Sequence, residues 1–397
     1  MAALLLLKLL MLALAVPAGI GCLYLLQQTL LSWPLPPPAR SRRELQFDLI
    51  VPAHNEAGVI ARTVANLKRI DWPADRFRIL VVADNCTDDT AAIARAAGAT
   101  VIERQNDTLR GKGYALQYAF AHSLRECRAG AIAVVDADAE VSTNLLEAFA
   151  SRLERGAQAI QVHYGVLDPD GSWRTRLLAI AMAAYHIVRS RARERQHVSS
   201  GIRGNGWCVT RELLQQTPYS SFSLAEDIEY GIALGLAGHR VWYAGEAEAA
   251  QHMTADPLVA RKQRQRWEFG RFRLIRSSTL PLLRAALTRP SGVCLDLALD
   301  LIVLPITYVA LNVGALLLLA LLANWLWPGF RGWVEFSLGC VAAIALYVAR
   351  GWSLSGTGLR GLLDLIGAPI FIIWKVMLML TSRPQAEWVR TERKQHP

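Results

Sequence analysis

The apolar residues of this chain gather at its two ends, around a stretch from about residue 40 to 290 that alternates strand and helix signals. Residues 2 to 31, AALLLLKLLMLALAVPAGIGCLYLLQQTLL, form one run long enough to cross a hydrocarbon core of ~30 Å. A cleaved signal peptide would carry an apolar region of only about 7–15 residues before a small-residue cleavage site. This run is longer and ends in Trp33 and Pro34-Leu35-Pro36-Pro37-Pro38, so 1–33 reads as a retained anchor and 34–45 as a stiff Pro/Arg linker. A second apolar zone opens near Leu297 and predicts a membrane region over 291–382. Its candidate spans are Leu301 to Leu326, Val334 to Ala349 and Leu362 to Leu380, with a basic tail over 383–397. Charged residues make up 19% of the chain, below the about 25% of soluble domains. That balance excludes a disordered, collagenous or coiled-coil chain. The six cysteines are scattered with no CxxC pair, which argues against a zinc finger or a thioredoxin-like site.

Arg40, Arg42 and Arg43 follow the first span at once, and basic flanks stay cytoplasmic. The central domain is therefore expected in the cytosol, on the inner face of the cell membrane, in a multi-pass chain. Three spans after the domain would place the tail outside, although it carries Arg383, Arg390, Arg393 and Lys394. The last segment also holds Asp364, Pro369 and Lys375, and charge at mid-membrane is costly. Leu362 to Leu380 is thus expected to lie in the interface or to re-enter, leaving two full spans and a cytosolic tail.

Within 46–290, strand signals at Phe47–Pro52, Arg78–Asp84, Ala99–Glu103 and Ala131–Asp136 alternate with helical stretches at Ala57–Arg69, Asp88–Ala97 and Gly113–Leu124. Uninterrupted apolar strands between helices predict a mainly parallel sheet covered on both faces. Ligands of such sheets bind at the carboxyl ends of the strands. Polar residues collect there: Pro52-Ala53-His54-Asn55-Glu56, Asp84-Asn85 and Asp136-Ala137-Asp138. Neither a dinucleotide-binding glycine fingerprint nor a P-loop is present. Asp136 and Asp138, spaced i, i+2 in extended chain, point the same way. Such a pair repels unless a cation sits between, and Mg²⁺ or Mn²⁺ bridging to a diphosphate suits oxygen ligands. An N-cap or polar loop would use the same residues. Arg110-Gly111-Lys112-Gly113 opens a helix whose N–H groups and lysine suit an anion, or forms an ordinary basic turn. Ala225-Glu226-Asp227 starts another helix, and Gln263-Arg264-Gln265-Arg266-Trp267 lies in a basic one. Ser172 to His197 reads as a long helix rich in arginine, either at the membrane surface or packed in the core.

The ordered set VPAHNE (51–56), ADNCTDDT (83–90), RGKG (110–113), DAD (136–138), AED (225–227) and QRQRW (263–267) resembles the membrane-bound family 2 glycosyltransferases, the group of cellulose, chitin and hyaluronan synthases. The resemblance covers about residues 46 to 275. It implies a GT-A-type α/β fold, a mainly parallel sheet with helices on both faces, plus N- and C-terminal transmembrane helices. It also implies inverting, Mg²⁺- or Mn²⁺-dependent transfer from a nucleoside-diphosphate sugar, UDP-linked by default, to a lipid, lipid-linked or polysaccharide acceptor. By the same resemblance Asp227 would be the general base. Pro52, His54, Asn55, Glu56, Asp84, Lys112, Asp136, Gln263, Arg266 and Trp267 would bind the donor. Asp136 and Asp138 would hold the metal. Gly204, Asn205, Gly206, Glu226 and Trp267 would face the acceptor. The family's usual threonine before Glu-Asp is Ala225 here, and the spans are fewer than in the large polymer synthases.

Two other readings compete. A non-catalytic membrane scaffold on the same fold would be marked by loss of Asp136, Asp138 or Asp227, and all three are present. A transporter would need more spans. Nothing resembles a nucleic-acid-binding module, so the net charge of +10 fits anionic lipid and phosphate partners instead. An oligomer is compatible with all of this.

Overall fold

The computed structural model describes residues 2–251, 257–327, 329–370 and 372, with backbone alone for 3 and 257–267. Eight strands form one sheet: β1 Phe47–Ala53, β2 Phe77–Asp84, β3 Thr100–Arg104, β4 Ala131–Val134, β5 Ala139–Val141, β6 Ala159–Val166, β7 Trp207–Thr210 and β8 Val241–Gln251. Fourteen helices accompany them among the described residues: α1 Ala2–Leu30, α2 Ile60–Leu67, α3 Thr90–Ala96, α4 Lys112–Glu126, α5 Leu145–Leu153, α6 Trp173–Ala183, α7 Arg189–Arg195, α8 Arg211–Gln216, α9 Glu226–Leu236, α10 Pro257–Thr288, α11 Gly292–Ile302, α12 Ile306–Leu326, α13 Arg331–Leu354 and α14 Gly358–Asp364. A π-helical turn, Ala184–Val188, joins α6 to α7.

Strand order is β3-β2-β1-β4-β7-β6-β8-β5. The first four strands pair parallel, as their pattern predicts. The other half is mixed, which refines the mainly parallel expectation. β7 runs antiparallel to both β4 and β6, and β5 antiparallel to β8, while β6 and β8 are parallel. An apolar strand buried on both faces looks the same in either direction, so its sequence carries no orientation signal. Alternation assigns the faces. Leu49 and Val51 of β1 pack on one side with Ile60 and Val64 of α2 and Phe149 of α5. Ile50 packs on the other with Leu116 and Phe120 of α4 and Tyr230 of α9.

Three helices are long and apolar enough to cross a membrane, over Leu4–Leu30, Ile306–Leu326 and Arg331–Leu354. They pack together through Met11, Ala18 and Leu25 of α1, Val313 and Leu316 of α12, and Cys340 and Ala343 of α13. The predicted span from Leu301 is corrected to begin at Ile306. Ile302 ends α11, and Pro305, which lacks an N–H and disfavours helix in the residue before it, starts a new helix. The predicted Val334–Ala349 span lengthens to the whole of α13. The arginine-rich run at 172–197 packs in the interior: Leu177, Ile180 and Val188 are buried, and Ala184 lies against Gly351 of α13. In the third candidate segment, Asp364 pairs with Arg176 of α6 at 2.5 Å, so its start is held against the domain. Most of the rest of that segment, and the 383–397 tail, lie outside the described residues.

Candidate active site

The carboxyl ends of β1, β2 and β4 assemble two groups of side chains. The first forms because β1 and β2 are in register to their ends, with Ala53 opposite Ala83. The chain leaving β1 therefore meets Asp84 at once, and His54 Nδ1 donates to the Asp84 carbonyl at 2.7 Å. Asn55 and Asn85 take left-handed conformations, φ 56° and 50°, which asparagine tolerates. The Asn55 side chain accepts the Thr87 N–H at 2.7 Å, and the Glu56 N–H donates to Thr90 Oγ1 at 2.8 Å. The two loops thus brace one another. Asp84, 5% exposed, pairs with Arg104 at 2.5 Å, its register partner on β3. Pro52 is half-buried at the end of β1.

The second group surrounds Asp136, just past β4. Lys112, the first residue of α4, reaches Asp136 Oδ1 at 2.6 Å, the Gly204 carbonyl at 2.8 Å and Glu226 Oε1 at 3.7 Å. Asn205 Oδ1 accepts the Asp136 N–H at 3.0 Å. Gly206 ties the same segment to the sheet, its N–H donating to the Val134 carbonyl at 3.1 Å. The Gln251 amide donates to Asp136 Oδ2 at 2.8 Å and to Asp138 Oδ1 at 2.9 Å. One donor therefore meets both carboxylates. Asp227 completes the group at the start of α9, where a Cβ added to Gly204 would lie 3.3 Å from its Oδ2. Gly113 permits the close approach of α4 to the backbone of Ser221, which brings Lys112 and α9 to one place.

Electrostatics separate the roles. Burial alone would depress the Lys112 ammonium. The Asp136 and Glu226 carboxylates outweigh it and hold the lysine above its ordinary value, so it stays charged. Burial pushes the Asp227 carboxyl above the usual carboxylate range, against the opposing pull of Lys112, of its own and the Ile228 N–H groups, and of Arg203. A cation thus stands beside Asp136 and bonds the Gly204 carbonyl, and a carboxylate of raised basicity stands against Gly204. That combination suits stabilising a leaving anion and accepting a proton.

Gly204 is the sharpest test of this geometry. Its φ is 88°, where an alanine is strained by ~1–2 kcal/mol. Gly204→Ala is expected to lower kcat at least tenfold by displacing the Asp227 carboxylate, as steady-state kinetics would report. Unchanged kcat would mean that the loop and Asp227 do not act together.

The structure thus gathers Lys112, Asp136, Asp138, Gly204, Asn205, Glu226 and Asp227 in one group and Pro52, His54, Asn55, Glu56 and Asp84 in another. Gln263, Arg266 and Trp267 lie on the backbone of α10, but their side chains fall outside the described residues. Arg104, Arg203 and Gln251 were not singled out from sequence. Gln251 reaches the carboxylates because β8 pairs with β5 opposite Ala139, a register no local pattern announces.

A family model described as "Glycosyltransferase like family 2" matches residues 45–270. A beta-monoglucosyldiacylglycerol synthase of Synechocystis is 27% identical over 235 residues, covering 57% of this chain and 47% of that protein. A probable glycosyltransferase of Bacillus subtilis, YdaM, is 25% identical over 234 residues, 57% of this chain and 55% of that one. The chain spans about half the length of these curated relatives. Among solved structures, the mannosyltransferase PcManGT of Pyrobaculum calidifontis, in complex with GDP-Man and Mn²⁺, matches with a TM-score of 0.51 and 20% identity, covering 85% of this chain and 98% of that one. That likeness is one of fold.

Proposed function

The chain belongs to the family 2 glycosyltransferases, and from that footing we propose that it transfers a sugar, with inversion, from a nucleoside-diphosphate sugar to a hydroxyl of a lipid, lipid-linked or polysaccharide acceptor at a membrane. The observation that carries this reading is the Lys112 bridge, which ties Asp136 to the Gly204 carbonyl beside Asp227. It puts the side that would bind a leaving diphosphate against the side that would activate an acceptor.

In this mechanism the acceptor hydroxyl lies against Asp227. Its oxygen attacks the anomeric carbon from the face opposite the diphosphate. A new C–O bond forms, the bond to the diphosphate oxygen breaks, and the proton passes to Asp227. One base suffices, unlike the paired carboxylates of glycosidases. Lys112 stabilises the charge that grows on the diphosphate. Gln263, Arg266 and Trp267 are assigned to the diphosphate and to closing the acceptor site. Pro52, His54, Asn55, Glu56 and Asp84 are assigned to the nucleotide, UDP by default. Gly204, Asn205, Gly206 and Glu226 are assigned to the acceptor side.

Asp136 and Asp138 would hold Mg²⁺ or Mn²⁺. The fit rests on their oxygens converging on one donor, the Gln251 amide, and on the hard-oxygen character of the pair. Bound, the ion supplies charge neutralisation of the leaving group.

The membrane reading places the domain in the cytosol. The domain-side ends of α1 and α13 meet each other, which supports both ending on one side: Arg350 donates to Ser32 Oγ at 2.9 Å and to its carbonyl at 3.1 Å. α12 and α13 then cross outward and back, and the tail returns to the cytosol. A cysteine placed in the 383–397 tail is expected to react with a membrane-impermeant reagent only after the membrane is opened. Labelling from outside would overturn this topology.

The function is tested by release of nucleoside diphosphate from a panel of nucleotide sugars, using full-length protein in lipid with Mn²⁺ or Mg²⁺ and membrane lipid extract. Turnover with one donor is expected. No release with any donor would count against the transferase reading.

A further inference from the structure

Beneath Asp227, on the side facing the apolar helices, lies a buried cluster of charge that the mechanism above does not use. Arg189, Arg193, Arg203 and Arg271 are each at most 8% exposed. The carboxylates that answer them are Asp296 and Asp300 on α11. Arg189 meets Asp300 at 2.9 Å, Arg193 meets Asp296 at 2.6 Å and Asp300 at 3.4 Å, and Arg203 meets Asp300 at 3.7 Å. Arg271 makes no ion pair at contact distance among the described residues, although Asp300 feels its charge. It donates to the Tyr185 hydroxyl at 3.2 Å and to the carbonyls of Asp300 and Val303. With Glu268, which accepts from Tyr308, and Asp227, which feels the charge of Arg203, the carboxylates equal the arginines in number, but not every guanidinium N–H is used.

The unused donors have a definite place. Three guanidinium groups surround the ring of Tyr185, Arg203 at 4.1 Å, Arg189 at 5.1 Å and Arg271 at 6.0 Å from its centroid. Tyr185 stands in the π-helical turn, a form often found at functional sites. Two buried guanidinium atoms beside this ring, Arg203 Nη2 and Arg271 Nε, have no hydrogen-bond partner among the described residues. Buried guanidinium groups with unused N–H groups are costly unless a ligand supplies acceptors. The guanidinium fork matches the oxygens of a phosphate.

Position narrows the source. Arg203 adjoins Gly204, which faces Asp227. Arg271 follows Trp267 by one turn of α10. The cluster is also tied to two of the apolar helices, through Tyr24 of α1, which donates to Asp296 at 3.3 Å, and Tyr347 of α13, which accepts from Arg189 at 3.0 Å. Both contacts lie toward the domain-side ends of those helices. We propose that Arg203 and Arg271, backed by Arg189 across Tyr185, bind a phosphate group carried by the acceptor and so hold its hydroxyl toward Asp227. This deepens the transferase reading and rests on it for the word acceptor.

The test uses purified full-length protein in neutral detergent and three probes: dioctanoyl phosphatidic acid, dioctanoylglycerol, which differs by the phosphate alone, and inorganic phosphate. Binding is measured by isothermal titration. The wild type is expected to bind the phosphatidic acid at least about tenfold more tightly than the diacylglycerol, the scale of a charge-assisted pair. Arg271→Gln is expected to remove most of that preference, and Arg203→Gln likewise. One charge in a net +10 cannot do this by bulk attraction. Equal affinity of wild type for the two lipids overturns the proposal, whether or not the variants fold. So does a preference that survives both substitutions. Inorganic phosphate binding as tightly as the lipid would replace the acceptor headgroup with a free-phosphate site. No nucleotide sugar is used, so failure here and failure of sugar transfer are separate results.

Discussion

Asp227→Asn protein is expected to bind the donor sugar nucleotide with near wild-type affinity and to turn it over about 10²–10⁴-fold more slowly, the range of a lost general base. The substitution keeps shape and hydrogen-bonding size at the start of α9 while removing the proton acceptor. The same residue sets the pH dependence. Its carboxyl is held above the usual range, chiefly by burial. The ionised form is the working base, so kcat/KM should fall as pH drops through that raised value. The acid limb should therefore lie above that of a solvent-exposed aspartate. A pH–rate profile of wild type checks this, and the limb should be missing from whatever residual rate Asp227→Asn retains. A limb at the ordinary aspartate value would remove Asp227 from the role.

The second large effect is expected at Asp136. Lys112, Gln251 and the Asn205 side chain all converge on this residue. Asp136→Asn should cut kcat/KM by about 10²–10³-fold, comparable to loss of one electrostatic stabiliser of a developing anion. Unlike Asp227→Asn, it should also weaken donor binding, because the diphosphate loses its metal-holding partner. Chelation of divalent ions should mimic the substitution in wild type, and Mn²⁺ or Mg²⁺ should reverse it. Full turnover in excess chelator would show that Lys112 and the α10 residues carry the leaving group without a metal.

Much of this is legible in the sequence. Strands β1, β2 and β4 are short apolar runs that end in polar clusters, and their carboxyl ends are where the two groups of side chains lie. Lys112 and Asp227 sit at helix starts, which local pattern marks well. What escaped depends on pairing between distant segments. Arg104 answers Asp84 only because β3 and β2 are in register, and Gln251 answers Asp136 only because β8 pairs with β5. The direction of β7 is invisible in a strand buried on both faces. The helix break at Val303–Pro305 hides inside a continuous apolar run. The arginines of α7 fit a membrane surface as well as a core until Asp296 and Asp300, more than 100 residues on, come to meet them.

The central claim is a single direct displacement in which an acceptor hydroxyl, deprotonated by Asp227, replaces the diphosphate. The most direct measurement is the anomeric configuration of the product formed by full-length protein from its α-linked donor, read from the proton NMR coupling of the new linkage. The account predicts a β-linkage. An α-linkage would require a covalent intermediate or a different face of attack, and would contradict it.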